Sequence, residues 1–228
     1  MCIRDRSYYG LRYHALIRFG KWQEIIDLEA PKDPNLFLVT TSIYRYARAL
    51  AYAALEDVSL AKKEQELFHA ACDKVPEARV MFNNKCVDIL RIAESMLNGE
   101  IEYRRSNFEI AFKFLNEAIE NEDSLPYDEP WGWMQPARHA LGALLLEQGK
   151  IEEAEAVYRA DLGIDGVLGR PCQNPDNVWS LHGLHECLHR KGQIEEAKFI
   201  KQRLNLANAR ADRPILASCF CRLSHNTV

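Results

Sequence analysis

Two stretches of this chain align without a gap: GKIEEAEAVYRADL from Gly149 and GQIEEAKFIKQRLN from Gly192, 43 residues apart. Self-similarity at a fixed offset restricts the fold more than any local pattern, because it means one supersecondary unit laid down in tandem. Each copy follows an apolar helical pattern, ARHALGALLLEQ and LHGLHECLHRK. One step back from Ala154 reaches Ala111 in SNFEIAFKFLNEAIE, and weaker copies lie around Ala61 (SLAKKEQELFHAA) and Gly20 (GKWQEIIDLEA). In each, a glycine or polar residue makes a turn and an amphipathic helix begins with acids near its positive end. The unit is therefore a helical hairpin. A hairpin cannot cover its own apolar face, so its neighbours must, and a tandem array becomes a solenoid. Segment 35–55 reads as one helix, since FLVTTSIY runs into the good helix formers of RYARALAYAAL; little else suggests a strand.

Leu141 and Gly142, then Gly149, Ala154 and Tyr158, carry a closer resemblance. They resemble the tetratricopeptide repeat family, whose unit has a Leu-Gly pair in its first helix and an alanine early in its second; Ala49, Gly99 and Ala111 match in the weaker copies. The resemblance implies an all-α, TPR-like solenoid of about five hairpins over residues 8–211, followed by a tail, 212–228, that packs on the last repeat. The family unit is about 34 residues. The excess here falls between hairpins, in SLPYDEPWGWMQP and GIDGVLGRPCQNPDN, which are rich in loop-forming residues. Such insertions emerge on one edge of a solenoid, often the binding edge. Longer helical repeats of the armadillo or HEAT kind are the lesser alternative.

The opening MCIRDRS resembles the translation of a transposon-end sequencing adapter, so residues 1–7 are expected to be a scar and not native sequence, with the chain a fragment of something longer. No apolar run approaches the roughly 18–20 residues of a membrane helix. A net charge of −4 offers no general attraction to nucleic acid or to an anionic membrane. Beyond Cys2, the cysteines Cys72, Cys86, Cys172, Cys187, Cys219 and Cys221 are irregularly spaced, which suggests reduced thiols in a cytoplasmic setting.

One local signature competes with the repeat. HECLH at 185–189 places His185 and His189 within about 40° of each other on a helix, with Glu186 beside them as a candidate base, the pattern of a zinc-dependent hydrolase. Gly192 and Glu195 even extend it toward a longer zinc-peptidase string. Yet Gly149 and Glu152 hold the same places one unit earlier, where no histidines stand, and such peptidases lay substrate along a sheet edge. Leu181, Leu184 and Leu188 form a buried stripe, and His185 takes the small-residue place of Gly142.

His139 and His182 recur in successive units, and with Cys219 and Cys221 they form a second candidate zinc set. In an extended tail, however, Cys-x-Cys thiols point apart, so these cysteines are expected to pack as small apolar residues. The tail resembles the C-terminal end of a group of bacterial tetratricopeptide proteins, which brings no catalytic role. Trp131 and Trp133 in the inserted loop are candidate partner contacts, although a loop tryptophan often folds back over helix surface. Arg170, like Arg138, could meet a carboxylate. No phosphate loop, serine elbow or carboxylate pair is present. The expectation is thus a non-catalytic scaffold without a cofactor, binding a protein or peptide in a groove near Arg138, His139, Trp179, His182, Glu186 and His189.

Overall fold

The computed structural model describes residues 8–222. The adapter-like residues 1–7 and the tail residues 223–228 lie outside the described residues. Ten α-helices are described: α1 (Leu11–Arg18), α2 (Trp22–Asp27), α3 (Leu38–Ala54), α4 (Val58–Cys72), α5 (Cys86–Arg104), α6 (Phe108–Asp123), α7 (Ala137–Glu147), α8 (Ile151–Asp161), α9 (Val178–Arg190) and α10 (Ile194–Asn208). They pair consecutively into five hairpins. A two-stranded ladder, β1 (Val80–Met81) with β2 (Asn84–Lys85), pairs Val80 with Lys85 and Met81 with Asn84. This ladder was not expected, because two residues per strand are too few to show an alternating pattern. The chain divides into two compact units, Met1–Ala137 with the first three hairpins and Arg138–Val228 with the last two.

All five hairpins turn by the same device. Gly20, Glu56, Ser106, Gly149 and Gly192 each adopt a left-handed φ, between 62° and 72°. The residue after each donates its N–H back to the helix at 2.9 Å: Lys21 to Leu16, Asp57 to Tyr52, Asn107 to Glu102, Lys150 to Leu145, and Gln193 to Leu188. This closure satisfies carbonyls that the helix end would otherwise leave open. Glycine adopts such a φ without steric cost, whereas Glu56 and Ser106 hold it against their Cβ atoms.

The packing keeps step with the turn. Five residues after it stands a buried Ile25, Ala61, Ala111, Ala154 or Ala197, small enough in four of the five to let the second helix close on the first. Seven residues before it stand Ala49, Gly99, Gly142 and His185 in the last four hairpins, and nine after it Gln65, Leu115, Tyr158 and Lys201. A Cβ on Gly99 would fall within 3.0 Å of Leu115, and one on Gly142 within 3.0 Å of the Tyr158 ring. His185 is tolerated in this series because its opposite number, Lys201, is exposed and sends no ring toward it. The strict 43-residue offset holds only over the last three turns; Gly20 to Glu56 is 36 residues and Glu56 to Ser106 is 50.

In the first unit, Glu64 of α4 accepts from Arg45 and Arg48 of α3 at 2.9 and 3.0 Å, and Gln65 donates to Asn98 of α5 at 2.6 Å. The inserted loop folds back over this unit. Asp128 accepts from the Asn83 N–H at 3.0 Å and from the Asn84 side chain at 3.2 Å, which fastens the loop to the β1–β2 ladder. Trp133, 3% exposed, then enters the core edge-on to His14 and Tyr46, with ring centroids 4.8 and 5.6 Å away, while Gln135 donates to the His14 carbonyl.

Candidate functional site

The second unit brings the predicted groove residues together on the first helices of its two hairpins, α7 and α9. Leu181, Leu184 and Leu188 face the core and are fully buried. Between the two helices lies Tyr158 of α8. A Cβ on Gly142 or on Gly183 would come within 3.0 Å of its ring, so the ring fills a slot that only glycine leaves open on both sides. Its hydroxyl meets Ser218 of the tail at 2.5 Å, and Ser218 also donates to the His139 carbonyl at 3.2 Å. Burial and the apolar slot push the Tyr158 hydroxyl far above its ordinary value, so it stays protonated.

His139 does not reach the surface. It is 1% exposed, and its Nε2 lies 3.1 Å from Asp161 Oδ2. Asp161 also accepts from Ser180 at 2.5 Å and from the Asn174 side chain at 2.9 Å. Burial works to raise the Asp161 carboxyl, but the His139 charge and these hydrogen bonds outweigh it and hold it below the usual carboxylate range. The network joins α7, α8, the loop before α9, and α9. A serine, an aspartate and a histidine are thus in contact, but the aspartate sits in the middle. With the aspartate between them, serine and histidine are held apart, and the set braces these segments as a buried strut. Arg138 is buried as well.

Two of the remaining predicted groove residues, Trp179 and Glu186, meet the chain's own tail. Phe220 stands edge-on to Trp179, with ring centroids 5.6 Å apart at 67°. Arg222 forks both Glu186 oxygens at 2.7 and 2.8 Å, and Arg190 donates to Glu186 at 2.5 Å. Burial opposes the Glu186 charge, yet the Arg222 guanidinium beside it holds the carboxyl below its ordinary value. Burial holds the His182 imidazole below its ordinary value, and its enclosed Nδ1 has no hydrogen-bond partner. The tail is not extended. A bend and a 3-10 turn over Phe220–Arg222 bring Cys219 and Cys221 to one side, Cα atoms 5.3 Å apart, joined as a disulfide. That corrects both the expectation of opposed thiols and that of reduced cysteines for this pair; Cys72, Cys86, Cys172 and Cys187 form no disulfide.

Neither candidate zinc set is assembled. Glu186 is engaged by two arginines, so it is not a free base, and His189 is exposed at the end of α9 with the half-exposed His185 one turn away. His139 is bound to Asp161, and Cys219 to Cys221. Among the described residues, no three of His, Cys, Asp and Glu are arranged to hold a metal ion. No helix among the described residues is long and apolar enough to cross a membrane.

In the first unit, Trp131 is 60% exposed, whereas Trp133 is a core residue seated on the first helices of hairpins one and two. Sequence reading did not single out a cleft of about 270 Å³ between α4 and α5, lined by His69, Cys72, Arg91 and Glu94 among others. Burial pushes the Cys72 thiol there up to about 12, so it stays protonated and offers no nucleophile. Sequence reading also missed Asp161 and the three tail anchors. Asp161 was visible in principle, because it falls on the Ala154–Tyr158–Asp161 stripe where an acid must be paired. Ser218, Phe220 and Arg222 become meaningful only once the tail has folded back.

The architecture is that of an all-α, TPR-like helical-repeat protein. No protein-family model and no curated protein matches the chain. Among solved structures it is similar to a point variant of a Podosopora anserina protein, named as a kinesin light chain with nearly identical TPR-like repeats. That match has 18% identity and a TM-score of 0.50, over 93% of this chain and 97% of that one. The parent form gives 16% identity and a TM-score of 0.49 over the same shares. At such identity the likeness establishes the fold alone.

Proposed function

We propose that the chain is a non-catalytic scaffold that binds a peptide or protein partner on the first-helix face of its last two hairpins. One observation carries the reading: a short segment containing a single 3-10 turn is already seated there, held by Trp179 and Glu186. A face that accommodates one such segment has the shape and polarity to accommodate another. Trp179, His182, Glu186 and His189 make the contacts in this reading, while the buried His139 ties α7 to α8 and α9 through Asp161. Aromatic and arginine–carboxylate anchors are the side-chain classes that dominate such interfaces. Catalysis by HECLH has less support, because its glutamate would first have to leave Arg222 and Arg190.

The test is a displayed random-peptide library panned on the full chain, with selected peptides measured by fluorescence anisotropy. Trp179→Ala and Glu186→Gln should each weaken binding about tenfold or more, with the far-UV circular dichroism unchanged. Selected peptides indifferent to both substitutions, or stoichiometric zinc lost on His189→Ala, would refute the scaffold reading.

A further inference from the structure

We infer that the tail segment Leu216–Arg222 is a tethered stand-in for the ligand of this face, and that the external ligand is a peptide presenting a hydroxyl, an aromatic ring and an arginine at every second position. The inference rests on the binding reading above and specifies its partner chemistry.

Three seats define that chemistry. Ser218 satisfies the Tyr158 hydroxyl and the His139 carbonyl. Phe220 packs edge-on against Trp179. Arg222 makes a two-point fork on Glu186, a geometry that lysine cannot reproduce. The intervening Cys219 and Cys221 are bonded to each other and contribute none of these contacts.

The lead-in to the seat is loosely held, while Ala217, Ser218, Phe220 and Cys221 are buried within it. Between the end of α10 and Ala217, residues 211–214 and 216 are exposed, and Pro214 lacks an N–H to tie down. Releasing the tail therefore unwinds no α-helix. The Arg222–Glu186 fork lies at a rim, with the two side chains 18% and 23% exposed, so water can replace it. The tail also leaves something unmet. His182 lies between Trp179 and Glu186 along α9, and its enclosed Nδ1 has no partner. A ligand that supplies a polar group there gains a hydrogen bond that the tail does not make, which lets it compete against a segment at high effective concentration.

The experiment uses a fluorescein-labelled peptide of residues 216–222 carrying Cys219→Ala and Cys221→Ala, so that disulfide exchange plays no part. It is titrated into three full-length chains: the unaltered protein, the double variant Phe220→Ala with Arg222→Ala, and that double variant with Glu186→Gln added. A tail seated nine-tenths of the time hides the face tenfold, so the double variant should bind about tenfold more tightly than the unaltered protein. Adding Glu186→Gln should abolish the gain. If the double variant loses helicity, Arg222→Lys replaces it, keeping the charge and losing the fork, and the same direction of change is expected. A loosened tail that gives no gain overturns the inference. If library-selected peptides still bind in that event, the scaffold reading survives without it; if neither they nor the tail peptide bind, both fall.

Discussion

Gly183→Ala should destabilise the protein through one ring, and the effect should reverse when that ring is removed. The added methyl would lie within 3.0 Å of the Tyr158 ring carbons. The ring cannot swing aside, because it is fully buried, faces Gly142 on its other side, and is tied through its hydroxyl to Ser218. Forcing one methyl into such a site costs about 1–3 kcal/mol. Alanine recovers up to about 1 kcal/mol because it is a better helix former than glycine. The net expectation is a loss of about 1–2 kcal/mol, read as a lower urea midpoint at unchanged slope by far-UV circular dichroism. Tyr158→Ala alone should cost about 3–5 kcal/mol by leaving a cavity. In that background, Gly183→Ala should become neutral or stabilising, since only the helix preference remains. A penalty that persists without the ring would show that the slot is not what excludes a side chain at 183. His185→Gly is the contrast. With the exposed Lys201 opposite, no slot awaits filling, and the change should cost only about 0.5 kcal/mol in helix preference.

Three further outcomes follow from the same contacts. Ser106→Gly should raise stability by about 0.5 kcal/mol, because it relieves a left-handed φ of 63°, whereas Gly149→Ala, with open space around its Cβ, should lower it by about 1 kcal/mol; thermal melts of both measure the turn alone. Burial lowers the His14 imidazole to about 4, so its contribution is complete above the ordinary value near 6.5 and is lost as pH falls from there toward 4; His14→Phe should flatten the stability profile across that window. Asp161→Asn should cost about 3–5 kcal/mol near neutral pH by unpairing a buried charge network; because the folded carboxyl titrates below its ordinary value, that loss should shrink as pH falls through the folded value, in urea titrations at several pH values.

The hairpins most legible in the sequence were those whose turns use glycine and whose second helices open with Glu-Glu, hairpins four and five. Hairpins two and three were fainter because Glu56 and Ser106 hold the same left-handed turn without advertising it. The loop 124–136 was identifiable as a loop from its proline and glycine content. The burial of Trp133 was not, since it depends on His14 and Tyr46, contributed by distant helices. The shared face of Trp179, His182, Glu186 and His189 on α9 was readable from helical periodicity. That Glu186 would face an arginine from residue 222 was not, because an irregular tail has no period to extrapolate. His139 was placed on the correct helix but assigned to the surface. The acid that keeps it inside, Asp161, ends the Ala154–Tyr158–Asp161 stripe of α8 and meets His139 only once α7 packs against that helix.

The five turns also bear on how such a chain tolerates changes in length. Small residues and ring slots are counted from the left-handed residue, and the interval from one such residue to the next runs 36, 50, 43 and 43. What the array maintains is phase within a hairpin; the wavelength between hairpins is free. Residues added or lost in the stretches 28–37, 73–85, 124–136 and 162–177 therefore leave each lock intact, whereas one residue inserted between Gly142 and Tyr158 would throw the ring out of its slot. Kinship among proteins of this design is correspondingly hard to see by matching spacings along the chain, and easier to see once each turn is taken as the origin.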